Sequence, residues 1–382
     1  MHSKKPRPML VKPLRCCPHL LIRLTKIHWK NWQILQQFVR SNLFVKLIPW
    51  VCVVVLGSCS HKKLNNYQDT RLMMGTYVSI SVYDGDKSNV QVQQAVEKAF
   101  ERMRQIELKT SAQIHESELA KLNRAAGLRP MKVSADLYQV LQQAVKIGEL
   151  SRGAFDVTIG VETDLWNFDP DNPTIPTKEE IDKLLPLVNF RLISLEDSSV
   201  YLPFPGMKIN LGGIAKGFAV DAAISVLQQN GITDALVDAG GDLRTIASAW
   251  TAGKRRVWIR HPRKSDGFFG YFPLDSGSVA TSGDYQQYLI LNGVRFHHIL
   301  NPRTGLPARD CVSVTILADN TMDADALATA VFVLGPQKGL NLIESLDAVE
   351  GVIIFLKQKN QLGYLVSSGL RQKLVVVDEN CN

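Results

Sequence analysis

From residue 70 onward the apolar spacing switches between period two and the helical period without settling into a repeating strand–helix–strand order. This mixture constrains the fold more than any other feature of the chain. Val78, Ile80 and Val82 alternate with Ser79 and Ser81, which predicts a strand. Val92, Val96, Phe100, Met103 and Ile106 recur at helical spacing, as do Leu137, Leu141 and Val145. A third helical pattern starts near Ala215 and runs through Ala219, Ala223 and Leu227. Short apolar runs at 235–237, 257–259, 288–291, 312–317 and 352–356 predict strands, and residues 170–176 predict a loop. A last helix is expected over 323–334, stopped by Gly335-Pro336. The expectation is α+β: a single compact, two-lobed domain.

Charge is distributed unevenly along the chain. The net charge is +8, yet residues 1–58 hold ten Lys or Arg and no Asp or Glu. Removing these ten from the 44 basic residues leaves 34 against 36 acidic ones. So neutral a body lacks the basic footprint of a nucleic-acid binder, and no nucleic-acid partner is expected. Inside the basic leader an apolar run at 47–56 precedes Gly57, Ser58 and Cys59. The run is too short to cross a bilayer as a helix and fits the apolar region of a signal peptide. Leu56-Gly57-Ser58-Cys59 resembles a bacterial lipobox, whose cysteine becomes the lipidated N-terminus. A signal anchor with an incidental cysteine is the alternative. The expected division is a leader at 1–58, a polar tether at 59–69 and a body at 70–382. Lipidation at Cys59 would tether the body to the inner membrane, facing the periplasm. Cys311 and Cys381, the cysteines left in the body, form no disulfide framework or metal-ligand pair.

Three motifs carry chemistry. The first is N-L-G-G-I-A-K-G at 210–217, ahead of a helical pattern. Glycines let a backbone approach a ligand, a helix N-terminus offers N–H donors to phosphate, and Lys216 adds charge. Alone it equally fits a strand-to-helix turn with no ligand. The second is D-A-D-A-L-A-T at 323–329, where Asp325 and Thr329 share a helix face. A carboxylate and a hydroxyl suit Mg²⁺ shared with substrate phosphates. An acidic residue near a helix start, beside a packed Thr, is the bland reading. The third is R-F-H-H-I-L-N-P-R-T-G at 295–305, where either His297 or His298 could act as a base with a near-neutral pKa.

Taken in order, M-G-T at 74–76, S-E-L at 117–119 with Asn123, G-A-F-D-V-T-I-G at 153–160 and N-L-G-G-I-A-K-G-F-A-V-D at 210–221 form a recognisable set. So do A-G-G-D at 239–242, T-S-G-D-Y at 281–285, H-H-I-L-N-P-R-T-G at 297–305 and D-A-L-A-T-A at 325–330. The set resembles the ApbE family of FAD:protein FMN transferases over roughly residues 70–350. The resemblance implies a T-fold-like architecture, FAD as donor substrate, Mg²⁺, and transfer of FMN to a Thr or Ser hydroxyl of a target protein with release of AMP. It places the metal on Asp325 and Thr329 with backbone carbonyls of Gly213 and Ala328. It places FAD on Met74, Ala154, Phe155, Asp156, Asn210, Lys216 and Ile299. His298 is the candidate base, Asp325 is the catalytic metal ligand, and Asp323 is a candidate supporting group. The implied acceptor is a membrane redox subunit. Two departures stand out: Asn210 where the family commonly has Asp, and no aromatic residue in 111–115. An FAD pyrophosphatase using water, or a flavin-binding lipoprotein without catalysis, are the competing readings.

Overall fold

The computed structural model describes residues 66–169, 171–249, 251–357 and 361–377. The leader, Cys59 and most of the expected tether lie outside the described residues. The elements run in chain order as β1 (Tyr67–Met73), β2 (Thr76–Val82), α1 (Asn89–Thr110), α2 (Glu118–Arg124), β3 (Met131–Lys132), α3 (Ala135–Leu150), α4 (Gly160–Thr163) and α5 (Lys178–Leu184). Then come β4 (Ser194–Glu196), β5 (Ser199–Tyr201), α6 (Ala215–Gln229), β6 (Ala235–Ala239), β7 (Asp242–Ile246), β8 (Arg256–Arg260), β9 (Phe268–Pro273) and β10 (Gly277–Gly283). The chain continues with β11 (Tyr288–Leu291), β12 (Val294–His297), β13 (Ser313–Ala318), α7 (Thr321–Leu334), α8 (Pro336–Glu344), β14 (Glu350–Leu356), β15 (Leu362–Val366) and β16 (Val375–Val376).

The frame is an eight-stranded antiparallel sheet in the order β1-β2-β6-β7-β10-β13-β14-β15. Its strands bury side chains on both faces. On β14, Ile353 joins the larger core with α1, α6 and α7, while Val352 and Ile354 join a second core against β8 and β9. That alternation is the period-two pattern of a sheet covered on both sides. Phe100 and Met103 of α1 are fully buried in the larger core. Each such side chain contributes about 1.5–3 kcal/mol by leaving water. Ser88 and Gln91 close a capping box at the start of α1. The described residues of the body belong to one compact unit, and no described helix is long and apolar enough to cross a membrane.

The body begins earlier than expected. Tyr67, Gln68 and Asp69 were assigned to the tether, but they pair with Val82, Ser81 and Ile80 as the first residues of β1. An edge strand with polar residues such as Gln68, Asp69 and Arg71 shows little apolar alternation, so the sequence does not announce it.

The sheet and two helices bring the motifs together. Helices α6 and α7 meet at their N-terminal ends, where a Cβ on Gly217 would lie 2.2 Å from the Thr321 carbonyl oxygen. Asp221 of α6 fixes the junction. Its Oδ1 accepts from the Thr321 N–H at 3.0 Å, its Oδ2 accepts from the Met322 N–H at 2.9 Å, and Arg244 donates to Oδ1 at 2.5 Å. Asp221→Ala is therefore expected to cost about 2 kcal/mol, through two helix-start N–H groups and a half-buried guanidinium losing their partner. Chemical denaturation with an unchanged slope checks this; an unshifted midpoint would show that the junction does not need the carboxylate.

Candidate active site

Helix α6 begins without a side-chain cap from its own chain neighbourhood. Its cap comes from α7: the Gly217 N–H donates to Asp325 Oδ2 at 3.1 Å. Lys216, one residue earlier, places its ammonium 2.6 Å from Asp242 Oδ2 on β7. The same ammonium lies 3.4 and 3.5 Å from the two oxygens of Asp325, and 3.4 Å from the Gly212 carbonyl. Asp242 and Asp325 are both almost fully buried.

Two buried carboxylates sharing one ammonium leave an uncompensated negative charge. Burial pushes the Asp325 carboxyl above its ordinary range, and the Asp242 charge adds to the effect. Burial alone would lower the Lys216 pKa, but the fields of Asp242 and Asp325 outweigh it and drive the pKa up. A divalent cation would relieve this imbalance. Thr329 lies one helical turn beyond Asp325, its Oγ1 3.3 Å from Ser282 Oγ. A Cβ on Gly213 would lie 3.0 Å from Thr329 Oγ1 and 3.3 Å from the Phe155 ring, so only glycine leaves that space open. Among the described residues no three His, Cys, Asp or Glu side chains gather as a dedicated metal cage. Mg²⁺ needs none, since it binds through one or two carboxylates and keeps water or phosphate on its other positions. The donor set of Asp325, Thr329 and the Gly213 carbonyl fits that habit. Ala328 lies mid-helix in α7 with its side chain wholly buried, leaving only its carbonyl as a donor.

The loop ahead of α6 is held from several sides. Asn210 Oδ1 accepts from the Gly212 N–H at 2.8 Å, and its Nδ2 donates to Thr163 Oγ1 at 3.1 Å. Asn123 brackets the preceding residue, donating to the Ile209 carbonyl and accepting from the Ile209 N–H. As Asn, residue 210 donates and accepts at once, which a carboxylate there would not do.

Other residues singled out from sequence take different places. Phe155 reaches the Gly213 turn, and Ala154 is buried beside it. Asp156, in the segment expected to hold FAD, uses its carboxylate to tie that segment to the backbone at Phe190. Oδ1 accepts from the Thr158 N–H and hydroxyl, and Oδ2 accepts from the Phe190 N–H at 2.9 Å. Asp323, expected to support the metal, is tied instead to Gln143 and Asn320 at the start of α7. Met74 sits in the β1–β2 turn at φ 51°, its N–H donating to Glu107 Oε1 at 2.6 Å. The adjoining Thr76 packs on Gly240, in the turn that leads into Asp242.

The two histidines separate cleanly. His297 is buried, with Nε2 2.7 Å from the Ala308 carbonyl oxygen, and its Nδ1 accepts from the Ile299 N–H at 3.3 Å. Both ring nitrogens are committed, so it has no lone pair for a substrate. Ile299 is itself buried, and its carbonyl accepts from Ala308. His298 engages the Gln287 carbonyl through Nδ1 at 3.3 Å, leaving Nε2 free. Its pKa falls to about 4, mainly through burial, with the neighbouring His297 and the Lys216 charge adding to the effect. Sequence spacing carries no sign of Asp242 as the partner of Lys216, or of Ser282 beside Thr329. Both lie in the A-G-G-D and T-S-G-D-Y segments, but their contacts follow from strand order.

Comparison with known proteins identifies the family and the fold. Residues 74–353 match the model of the ApbE family. The FAD:protein FMN transferase of Treponema pallidum is 33% identical over 361 residues, covering 88% of this chain and 97% of that protein. The FAD:protein FMN transferase of Klebsiella pneumoniae is 28% identical over 291 residues, covering 75% of this chain and 89% of that protein. The crystal structure of the ApbE protein from Thermotoga maritima superposes with a TM-score of 0.73 at 32% identity, over 81% of this chain and 99% of that one. The flavin transferase ApbE from Vibrio cholerae gives 0.72 at 27% identity, over 81% of this chain and all of that one.

Proposed function

The chain belongs to the ApbE family, and on that premise we propose that it carries out its chemistry at the junction where α6 meets α7, moving FMN from FAD onto a Thr or Ser hydroxyl of a partner protein. It is an enzyme, a transferase of FMN from FAD to protein. The observation that carries the detailed reading is the Lys216 ammonium held between Asp242 and Asp325 at the start of α6. The net negative charge of that trio suits a divalent cation, and through the cation a diphosphate, whose charge must be neutralised before its anhydride bond breaks.

The acceptor oxygen forms a bond to the FMN phosphorus, and the bond from that phosphorus to the bridging oxygen breaks. AMP leaves with the bridging oxygen, and the hydroxyl proton goes to a base. A Mg²⁺ ion, when bound at Asp325, Thr329 and the Gly213 carbonyl, would neutralise phosphate charge. Lys216 would offset part of the negative charge that Asp242 and Asp325 place beside the phosphates. With Nδ1 donating to the Gln287 carbonyl, Nε2 of His298 accepts the acceptor's proton.

Because burial holds His298 neutral, its base form persists to well below the ordinary histidine pKa. The acid limb of kcat/KM set by this residue is therefore expected nearer pH 4 than pH 6.5. The same shift sets a stability term: the contribution is complete above pH 6.5 and is lost as pH falls toward 4, where the folded protein must take up the proton. His298→Ala is expected to slow transfer by about 10²–10⁴-fold and to remove that limb. An unchanged rate and profile would exclude His298 as the base.

The reading extends to location: lipidation at Cys59 anchors the body to the inner membrane, facing the periplasm, where a membrane redox subunit is the acceptor. Incubation with FAD, Mg²⁺ and such an acceptor tests the function. An FMN-sized mass gain on a Thr or Ser supports transfer. Release of FMN without labelling would make the protein a pyrophosphatase, and intact bound flavin would make it a carrier.

A further inference from the structure

We infer that Asp242 acts as a positioning residue which holds the Lys216 ammonium away from Asp325, keeping Asp325 open to a divalent cation. The inference rests on the cation reading given above. A buried lysine is the nearest rival that a metal has for a buried carboxylate. Here the rival leans the other way: Lys216 Nζ is 2.6 Å from Asp242 Oδ2 but 3.4 and 3.5 Å from the oxygens of Asp325. The Asp242 and Asp325 side chains are only 4% and 5% exposed. Little water is available to either carboxylate, so the ammonium, whose other contact is the Gly212 carbonyl at 3.4 Å, is the charge the two anions share.

The backbone segments that carry the two anions are held in place. Asp325 is pinned by the Gly217 N–H, and α7 is tied to α6 by Asp221. Asp242 opens β7 directly after the Gly240–Gly241 turn, which Asp238 braces by accepting from the Gly241 N–H at 2.8 Å. Gly240 in turn packs against Thr76. The lysine stem is the flexible member of the trio, so the two carboxylates decide where its charge rests. With the Asp242 charge removed, the ammonium moves onto Asp325 and occupies the position the cation needs. Asp242 thus does more than add negative charge; it decides how strongly Lys216 competes.

A double-mutant cycle on Mn²⁺ binding tests this, with free Mn²⁺ counted by its paramagnetic resonance and no flavin present. Asp242→Asn is expected to weaken binding at least about tenfold. Lys216→Met is expected to change it by less than about threefold in the wild-type background, yet to restore at least about tenfold in the Asp242→Asn background. Asp242→Glu, which keeps the charge, should bind like the wild type. Equal Lys216→Met factors in both backgrounds would overturn the inference, because Asp242 would then contribute charge alone. Wild-type Mn²⁺ binding that is insensitive to Asp325→Ala would instead overturn the cation reading beneath it. Melting curves accompany each variant, and Asp242→Ser replaces Asp242→Asn in the cycle if the latter does not fold.

Discussion

Asp325→Ala is expected to lower Mg²⁺-dependent FMN transfer by roughly 10³-fold or more, equivalent to about 4 kcal/mol of lost transition-state stabilisation. The side chain performs two tasks, and the variant set separates them. It caps α6 by accepting from the Gly217 N–H, and it supplies the carboxylate to the proposed cation. Asp325→Asn keeps an acceptor for that N–H and loses the charge. If the charge matters for transfer, Asn is as inactive as Ala while retaining the cap. The melting temperature should fall little in either variant, because removing a carboxylate from beside buried Asp242 also removes repulsion. A rate within tenfold of wild type in Asp325→Asn, at saturating Mg²⁺, would take the metal away from this position.

Gly217→Ala is the substitution with the largest expected effect on stability. Alanine is the better helix former, by up to about 1 kcal/mol. Against that, the new Cβ would meet the Thr321 carbonyl oxygen at 2.2 Å, the Thr321 carbonyl carbon at 2.6 Å and the Met322 Cα at 2.8 Å. All three are backbone atoms of α7, so no rotamer change relieves the clash. The two helices must separate, which pulls Asp325 from its cap and loosens the Asp221 bonds. The net loss is expected to be about 3 kcal/mol or more, at the upper end of the overpacking range, with a melting temperature several degrees lower. Thermal unfolding of the two proteins decides it; a melting temperature equal to or above that of the wild type would mean that α6 and α7 are free to move apart at this contact.

The same junction shows what the sequence could and could not reveal. The apolar periods located α1, α3, α6 and four of the eight central strands, β2, β6, β13 and β14, because a buried face must repeat with its element. The placement of the glycine loop at a helix start and of Asp325 and Thr329 on one helix face was legible from spacing, while their candidacy for a ligand came from the whole ordered set of motifs. The partner of Lys216 was not. Asp242 reaches it because β7 lies beside β6 and packs under α6, a consequence of strand order that no local window contains. The hydrogen-bond partners of Asp156 and His297 were not legible for a related reason. Their side chains are taken by the Phe190 N–H and the Ala308 carbonyl, backbone groups 34 and 11 residues away. A polar residue in a conspicuous motif looks the same in sequence whether it meets a ligand or a distant peptide group. Strand β1 was missed altogether because most of its residues are polar and its pairing with β2 supplies the order that apolar alternation would have signalled.

In the proposed mechanism the carboxylate of Asp325 brings a divalent cation onto the diphosphate of FAD beside Lys216. Phosphorus relaxation of FAD bound to the protein in the presence of Mn²⁺ measures that proximity directly. Strong paramagnetic broadening of both phosphorus signals in the wild type, lost in Asp325→Asn while FAD remains bound, is the predicted result. Equal broadening in the two proteins, or none in the wild type with FAD bound, would contradict the account.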